Sequence, residues 1–346
     1  MKKLLIIILL FLFFAQPVFA MEFKAPAAPE SALEYMPENQ ENFAQGLLYI
    51  IKTALLKLKP ELADAIHVCI SVVVTVLVIS IINALSNNNN GYLRLVGAVV
   101  IGLLLLQPVN SMVNLATDTI KELSAYNKLL LPVMTAALAA QGGTTSAAAL
   151  YTGTVFFDAV LTALIVRIVV PALYFYLCIC VAASAVKNDM LKKIQDFLKW
   201  FMTTCLKWIL YIFTGYISIT GVISGTVDAS ALKAVKLTIS GVVPVVGSVL
   251  SDASETILVS AGVMKNAAGV YGIFAVIAVC IGPFLQIAAQ YLLLKLCGAV
   301  CNVFGNKSSS GLIENFSTGM GFALAMTGTV CILLLISLVC FMKGMN

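Results

Sequence analysis

Charged residues are scarce in this sequence. Of its 346 residues, only 11% are charged and 61% are hydrophobic, whereas an ordinary soluble domain carries roughly 25% charged residues. A water-soluble surface cannot be built from so few charges, because even a large apolar core needs a polar exterior. The composition therefore excludes an ordinary soluble domain and predicts a protein that is solvated mainly by lipid.

Histidine is almost absent, since His67 is the single one in the chain. A serine or cysteine nucleophile needs a base, and metal-dependent catalysis needs several ligands, which one histidine does not supply. Neither a G-x-S-x-G motif nor a phosphate-binding loop of the form G-x-x-x-x-G-K-[ST] occurs. We therefore expect no enzymatic activity, catalytic residue, cofactor or metal site, and any source of energy would come from another protein.

The nine cysteines lie within or at the edges of apolar segments, and residues 21–64 contain none. A zinc site would favour a CxxC pair or histidines in a polar loop, and neither pattern occurs. Cys297 and Cys301 share a helix face because they are four residues apart. We predict free thiols at helix contacts rather than disulfides or metal ligands.

The first twenty residues predict a cleavable secretory signal, with an uncleaved membrane anchor as the alternative. Lys2 and Lys3 form a basic start, residues 4–14 are apolar, and Ala20 ends a small-residue cleavage site. Residues 21–64 carry seven of the sixteen acidic residues and four prolines. This segment is predicted to be an extracytoplasmic tail followed by an interfacial helix near residues 40–60.

Long charge-free windows predict an all-α, polytopic transmembrane bundle in residues 65–346, because about 20 mainly apolar residues cross a bilayer. About seven spans are expected, within a range of six to eight. The predicted spans are 65–85, 93–114, 147–166, 168–186, 201–224, 269–290 and 319–342. Three shorter segments, 129–140, 240–250 and 291–304, are predicted to be half-helices or re-entrant elements, which leaves the parity of the crossings open.

Prolines and glycines mark the expected irregularities. Pro108, Pro132 and Pro283 predict helix breaks, because proline lacks the backbone N–H and clashes with the preceding turn. Gly241 and Gly247 flank Pro244 symmetrically through paired valines. Since glycine is permissive and proline removes a donor, this motif predicts a membrane-dipping loop.

Positive charge is concentrated in the segment that connects the spans predicted at 168–186 and 201–224, and at the start of the second of these spans. The net charge of +5 is too small to indicate a nucleic-acid partner. By the positive-inside tendency, the connection is predicted to face the cytoplasm. Its lysines are Lys187, Lys192, Lys193, Lys199 and Lys207.

Asp158 and Arg167 form a candidate intramembrane polar site. A charge at the centre of a span costs roughly 2.5–3.5 kcal/mol on insertion scales, so each residue needs a partner or water. Nine residues separate them, which is two and a half helical turns, so they lie on opposite faces and cannot pair. Asp158 is either a functional polar site in the bundle or at a partner interface, or a structural hydrogen-bonding or snorkelling group.

Two patches of small residues, 136–149 and 262–272, predict helix contact faces, because small side chains let helices approach closely in lipid. These contacts are either internal or made with other subunits. A homo-oligomer remains among the alternatives.

Three sequence segments together resemble the stage III sporulation protein AE family of endospore-forming bacteria. They are Leu130-Leu131-Pro132-Val133 leading to Gln141–Ala147, the glycine and proline motif at 240–247, and the segment 250–256 followed by Gly262–Asn266. The resemblance covers most of the chain after the exported tail, and the central glycine and proline motif is its most specific part. The exported tail is short for this family.

The resemblance implies a mother-cell membrane protein around the forespore. It would be a structural, conduit-forming subunit of the channel, or feeding-tube, complex that serves transport or secretion between the two cells. The partners implied are the bilayer, the other proteins of its operon, among them an ATPase subunit and ring-forming subunits, and a forespore-side protein. The alternatives are an independent secondary permease and a non-conducting assembly scaffold.

Overall fold

The computed structural model describes residues 25–37, 43–85, 91–186, 188–242, 247–303 and 307–343, with side chains for all of these except 220–266 and 307. The predicted signal, residues 1–20, lies outside the described residues. Within the described ranges the chain is almost wholly helical and contains no β-strand. The all-α prediction is confirmed.

Eight α-helices and one π-helical turn follow one another in the described ranges. They are α1 Glu30–Leu33, α2 Phe43–Leu85, α3 Gly91–Ala140, α4 Thr144–Leu164, the π-turn Ile165–Val169, α5 Val170–Ala185, α6 Asp189–Val242, α7 Gly247–Val303 and α8 Lys307–Lys343. Except for α1, every helix contains a long apolar stretch, which is why the sequence forms few but long elements.

Among the residues that the structure describes, six helical segments are long and apolar enough to cross a membrane. They are Phe43–Leu85, Gly91–Ala140, Thr144–Ala185, Asp189–Ile219, Ala267–Val303 and Ser308–Lys343. The seven predicted spans fall on these six segments, because the spans predicted at 147–166 and 168–186 belong to one continuous segment. The predicted interfacial helix near 40–60 is likewise the first half of α2.

The π-turn explains why α4 and α5 do not separate. The sequence predicted two spans on either side of Arg167, 147–166 and 168–186. In the structure Pro171 is the second residue of α5, immediately after the π-turn. Val170, the first residue of α5, donates its N–H to the carbonyl oxygen of Ile165 at the start of the π-turn, so the hydrogen bonding continues from the π-turn into α5.

The helix breaks predicted at Pro108, Pro132 and Pro283 are wrong. Pro108 and Pro132 lie inside α3, and Pro283 lies inside α7. One proline removes a single backbone hydrogen bond, and neighbouring helices hold the segments on either side in line. The segments 129–140 and 291–304, predicted as half-helices, are therefore the C-terminal parts of α3 and α7.

The bundle has a centre formed by α3, α7 and α8, whereas α2 and α6 are peripheral. In the most apolar window of the Ala267–Val303 part of α7, 56% of the residues are buried, against 17% in α2. Large side chains fill the centre, among them Tyr126, Phe274 and Phe316, each at most 2% exposed. Consequently α2 leaves most of its apolar surface for lipid.

The helices are longer than a bilayer is thick. α3 has 50 residues, about 75 Å at a rise of roughly 1.5 Å per residue, whereas the hydrocarbon core measures roughly 30 Å. Arg94 at the start of α3 donates from Nε to the carbonyl oxygen of Ala185 at the end of α5, at 3.0 Å. The other end of α3 packs on α7, where Leu130 lies against Gly272. The bundle therefore continues beyond the thickness of the hydrocarbon core.

Glycines allow the closest helix contacts. A Cβ atom at Gly272 would lie 2.6 Å from Cδ2 of Leu130, and one at Gly269 would lie 2.5 Å from Cγ of Met342. Both glycines belong to the small-residue patch 262–272. Here the patch makes contacts inside the chain, between α7 and the helices α3 and α8.

Candidate functional site

One carboxylate is buried between two helices. Asp158 on α4 is 2% exposed, and Ser124 on α3 donates a hydrogen bond to its Oδ2 atom at 2.7 Å. The second oxygen, Oδ1, has no hydrogen-bond partner among the described residues. Asp158 therefore lies inside this chain rather than on its surface, with a serine as its hydrogen-bond partner. Its two predicted roles, functional and structural, both stay predictions.

Asn127 completes the polar environment of this carboxylate. It lies nearly one helical turn after Ser124, is 2% exposed, and its side chain lies beside the Asp158 carboxyl group. Its amide nitrogen is buried and finds no hydrogen-bond partner within the described ranges. The exposed Lys128 follows Asn127 directly on α3. The site thus holds one carboxyl group whose Oδ1 atom, like the neighbouring amide nitrogen of Asn127, has no hydrogen-bond partner among the described residues.

A second polar contact lies one turn away on α4. The hydroxyl of Thr154 donates to the hydroxyl oxygen of Ser337 on α8 at 3.3 Å. Ser337 in turn donates to the carbonyl oxygen of Leu333 at 3.0 Å. Both hydroxyl-bearing residues are fully buried. Polar groups on α4 therefore contact both neighbouring helices, α3 and α8, in the interior of the bundle.

Arg167 lies apart from this cluster. It is an exposed residue of the π-turn, and the ion pairs in the described part of the chain join Lys57 to Glu34 and Lys121 to Asp118. Asp158 and Arg167 are thus not paired with each other. Asp158 alone belongs to the buried polar cluster.

The glycine and proline motif is described only in part. α6 ends at Val242 and α7 begins at Gly247, so Gly241 and Gly247 have helical backbones, while Pro244 lies outside the described residues. The predicted membrane-dipping loop at this position therefore stays a prediction.

Sequence reasoning missed Ser124 and Asn127. Both lie in the polar stretch 117–128, and their spacing of three residues puts them on one side of α3. The charged neighbours Asp118 and Lys121 are exposed and pair with each other at 3.1 Å. The sequence signal for these two residues was a pair of uncharged polar side chains at helical spacing, in a stretch whose charged residues can reach solvent.

The chemistry of the described residues is that of a packing and hydrogen-bonding site. In the described ranges no group of three or more histidine, cysteine, aspartate or glutamate side chains is placed to hold a metal ion. All nine cysteines are free thiols in the structure. The Asp158 site leaves one carboxyl oxygen and one amide nitrogen without hydrogen-bond partners among the described residues.

Comparisons with known proteins agree on one family. The family model described as stage III sporulation protein AE matches residues 30–344 of the chain. A protein of Bacillus subtilis (strain 168) named stage III sporulation protein AE is 23% identical over 244 residues, which are 70% of this chain and 61% of that protein. The aligned part thus falls short of two thirds of the relative's length. No solved structure matches the chain.

Proposed function

Because the chain belongs to the stage III sporulation protein AE family, we propose that it is an integral membrane subunit of the channel complex that joins the mother cell to the forespore. In this proposal it resides in the mother-cell membrane around the forespore, has a structural and conduit role, and carries out no catalysis. The family match over residues 30–344 carries the proposal.

The dimensions of the bundle support a role as a subunit. Helices of 50 residues and more extend beyond the roughly 30 Å hydrocarbon core. Those extensions offer surfaces outside the lipid, where other subunits can bind. The proposed partners are an ATPase subunit, ring-forming subunits and a forespore-side protein, since this chain has no phosphate-binding loop motif of its own.

The proposal predicts that deletion of the gene blocks spore formation. We expect heat-resistant spores of the endospore-forming host to fall to the background of a strain that cannot sporulate, and a plasmid copy of the chain to restore them. Counting heat-resistant colonies after nutrient exhaustion measures this. A deletion strain that forms normal numbers of spores contradicts the proposal.

A secondary permease is the alternative, favoured by the unsatisfied polar atoms beside Asp158. Buried polar groups inside a membrane bundle often mark a solute or ion path. Purified protein that moves a defined solute across the membrane of liposomes without other subunits would support the permease.

A third alternative is a non-conducting assembly scaffold. It predicts that single cysteines placed along 241–247 react with no water-soluble thiol reagent.

A further inference from the structure

The first part of α6, from Asp189 to Ile219, has two distinct sides. Its buried side faces α4, α5 and α8 with residues spaced by three and four. These are Gln195, Leu198, Met202, Leu206, Ile209, Phe213 and Ile217. Such spacing is typical of a helix that packs on one face only, so the other side of α6 faces outward.

The outward side carries aromatic rings and lysines, which we call the aromatic–lysine face. Its members are Lys193, Phe197, Trp200, Lys207, Trp208 and Tyr211, all of them exposed. The four aromatic side chains are 57–66% exposed. At about 100° per residue, the six positions fall within an arc of about 100°, and they extend over about 27 Å of helix.

The rings of this face form two pairs. The ring centroids of Phe197 and Trp200 are 6.0 Å apart, and those of Trp208 and Tyr211 are 6.5 Å apart in an edge-to-face arrangement. Aromatic pairs at this spacing attract each other. Two ring pairs on one helix face leave a broad amphipathic area that needs a cover other than water.

The lysines of this face are available for an external anion. Among the described residues neither Lys193 nor Lys207 forms an ion pair. Lys199, by contrast, is engaged inside the chain, because it donates to Oδ1 of Asn315 at 3.4 Å and lies 5.7 Å from the ring centre of Tyr176. Between residues 189 and 207 four lysines outnumber two aspartates, so the local charge is positive.

We propose that the aromatic–lysine face binds acidic phospholipids. Tryptophan and tyrosine prefer the membrane–water interface, where an apolar ring and a polar N–H or O–H are both satisfied. Lysines beside them attract anionic head groups, and their long stems reach the phosphate level. Because Lys193 and Lys207 lie about 21 Å apart along α6, both reach lipid phosphates when this part of α6 runs along the membrane surface. In that orientation the indole rings of Trp200 and Trp208 lie against the glycerol region and upper acyl chains.

The chain provides its own probe of this face. It contains two tryptophans, and both belong to the aromatic–lysine face, so the intrinsic tryptophan fluorescence of the whole chain reports on this face alone. The full chain would be reconstituted into phosphatidylcholine vesicles that carry a small share of spin-labelled lipid, labelled near the glycerol end of one acyl chain. The labelled lipid is either phosphatidylglycerol or phosphatidylcholine.

We expect labelled phosphatidylglycerol to quench the tryptophans at lower mole fractions than labelled phosphatidylcholine. Replacing Lys193 and Lys207 by glutamine should weaken this preference by about fivefold for each lysine removed, because that is the contribution of one lysine near an anionic membrane. The matched control is Lys121→Gln, which removes an exposed lysine already paired with Asp118. High salt should weaken the preference of the unmodified protein as well, which requires no variant to fold.

Two results would overturn the proposal. Equal quenching by both labelled lipids would mean that the face contacts acyl chains without selecting acidic head groups. Quenching by iodide in the buffer but by neither lipid would mean that the face stands in water, where another protein would have to cover it. Both results are independent of the sporulation phenotype, so the lipid proposal can fail while the proposed function holds.

Discussion

Replacing Gly153 by alanine should destabilise the bundle, whereas replacing Gly215 by alanine should not. A Cβ atom at Gly153 on α4 would overlap the ring of Tyr216 on α6, while one at Gly215 would meet no atom within 4 Å. Overpacking of this kind costs about 1–3 kcal/mol. Where no atom lies close, replacing glycine by alanine in a helix interior stabilises the helix by up to about 1 kcal/mol.

The Tyr216 ring cannot easily move aside. Its hydroxyl donates to the carbonyl oxygen of Ala149 at 3.0 Å, and its ring centroid lies 5.6 Å from that of Phe157. The measurement is the free energy of unfolding of detergent-purified protein in a titration with a denaturing detergent. Tyr216→Ala should remove most of the penalty of the Gly153 substitution, since the two residues are coupled. Equal effects of the two glycine substitutions would contradict the packing seen here.

This contact shows which parts of the fold a single sequence can predict. The charge-free windows fall on the six membrane-length helical segments of the described residues, although they predicted seven spans, because the ability to span depends on local composition. The partner of Gly153 lies 63 residues away on another helix, and nothing near Gly153 in sequence specifies a tyrosine there. The small-residue patches predicted close helix contacts, but the structure was needed to identify the partners.

The prolines show the opposite limitation. Pro108 and Pro132 are strong local signals of a break, and in an isolated helix each would cost about 3 kcal/mol. In this bundle they lie in a helix packed by several neighbours, whose contacts on both sides of each proline outweigh one missing hydrogen bond. Local propensity was therefore overruled by tertiary packing, which single-sequence reasoning does not include.

The sequence identified Asp158 but not the residue that bonds to it. The cost of burying a carboxylate identified Asp158 as a residue that needs a partner, but not which partner it has. Ser124 lies 34 residues earlier, and its hydroxyl reaches the carboxylate because α3 and α4 pack together. The sequence excluded Arg167 by helix geometry alone, and that residue is indeed exposed elsewhere.

Replacing Ser124 by alanine should lower the free energy of unfolding by about 1–3 kcal/mol. This substitution removes the hydrogen bond to Oδ2 and leaves Asp158 with no donor bonded to it among the described side chains, and a buried polar group without a partner carries that penalty. The control is Ser218→Ala on α6, because Ser218 is exposed and bonds only to the carbonyl oxygen of Thr214, at 2.7 Å. Equal losses from the two serine variants would contradict a stabilising role for the Ser124–Asp158 bond.

Two further variants distinguish the structural role of Asp158 from its functional role. The double variant Ser124→Ala with Asp158→Leu should recover most of the lost stability, because removing both partners of a buried bond leaves no unsatisfied group. Asp158→Asn keeps the shape and an oxygen that accepts from Ser124, so this variant should fold with unchanged stability. If Asp158→Asn folds but yields few heat-resistant spores, the carboxyl group itself, and not only its shape, serves the proposed conduit. If spore numbers stay normal, Asp158 serves packing alone, because an amide of the same shape replaces the carboxyl group.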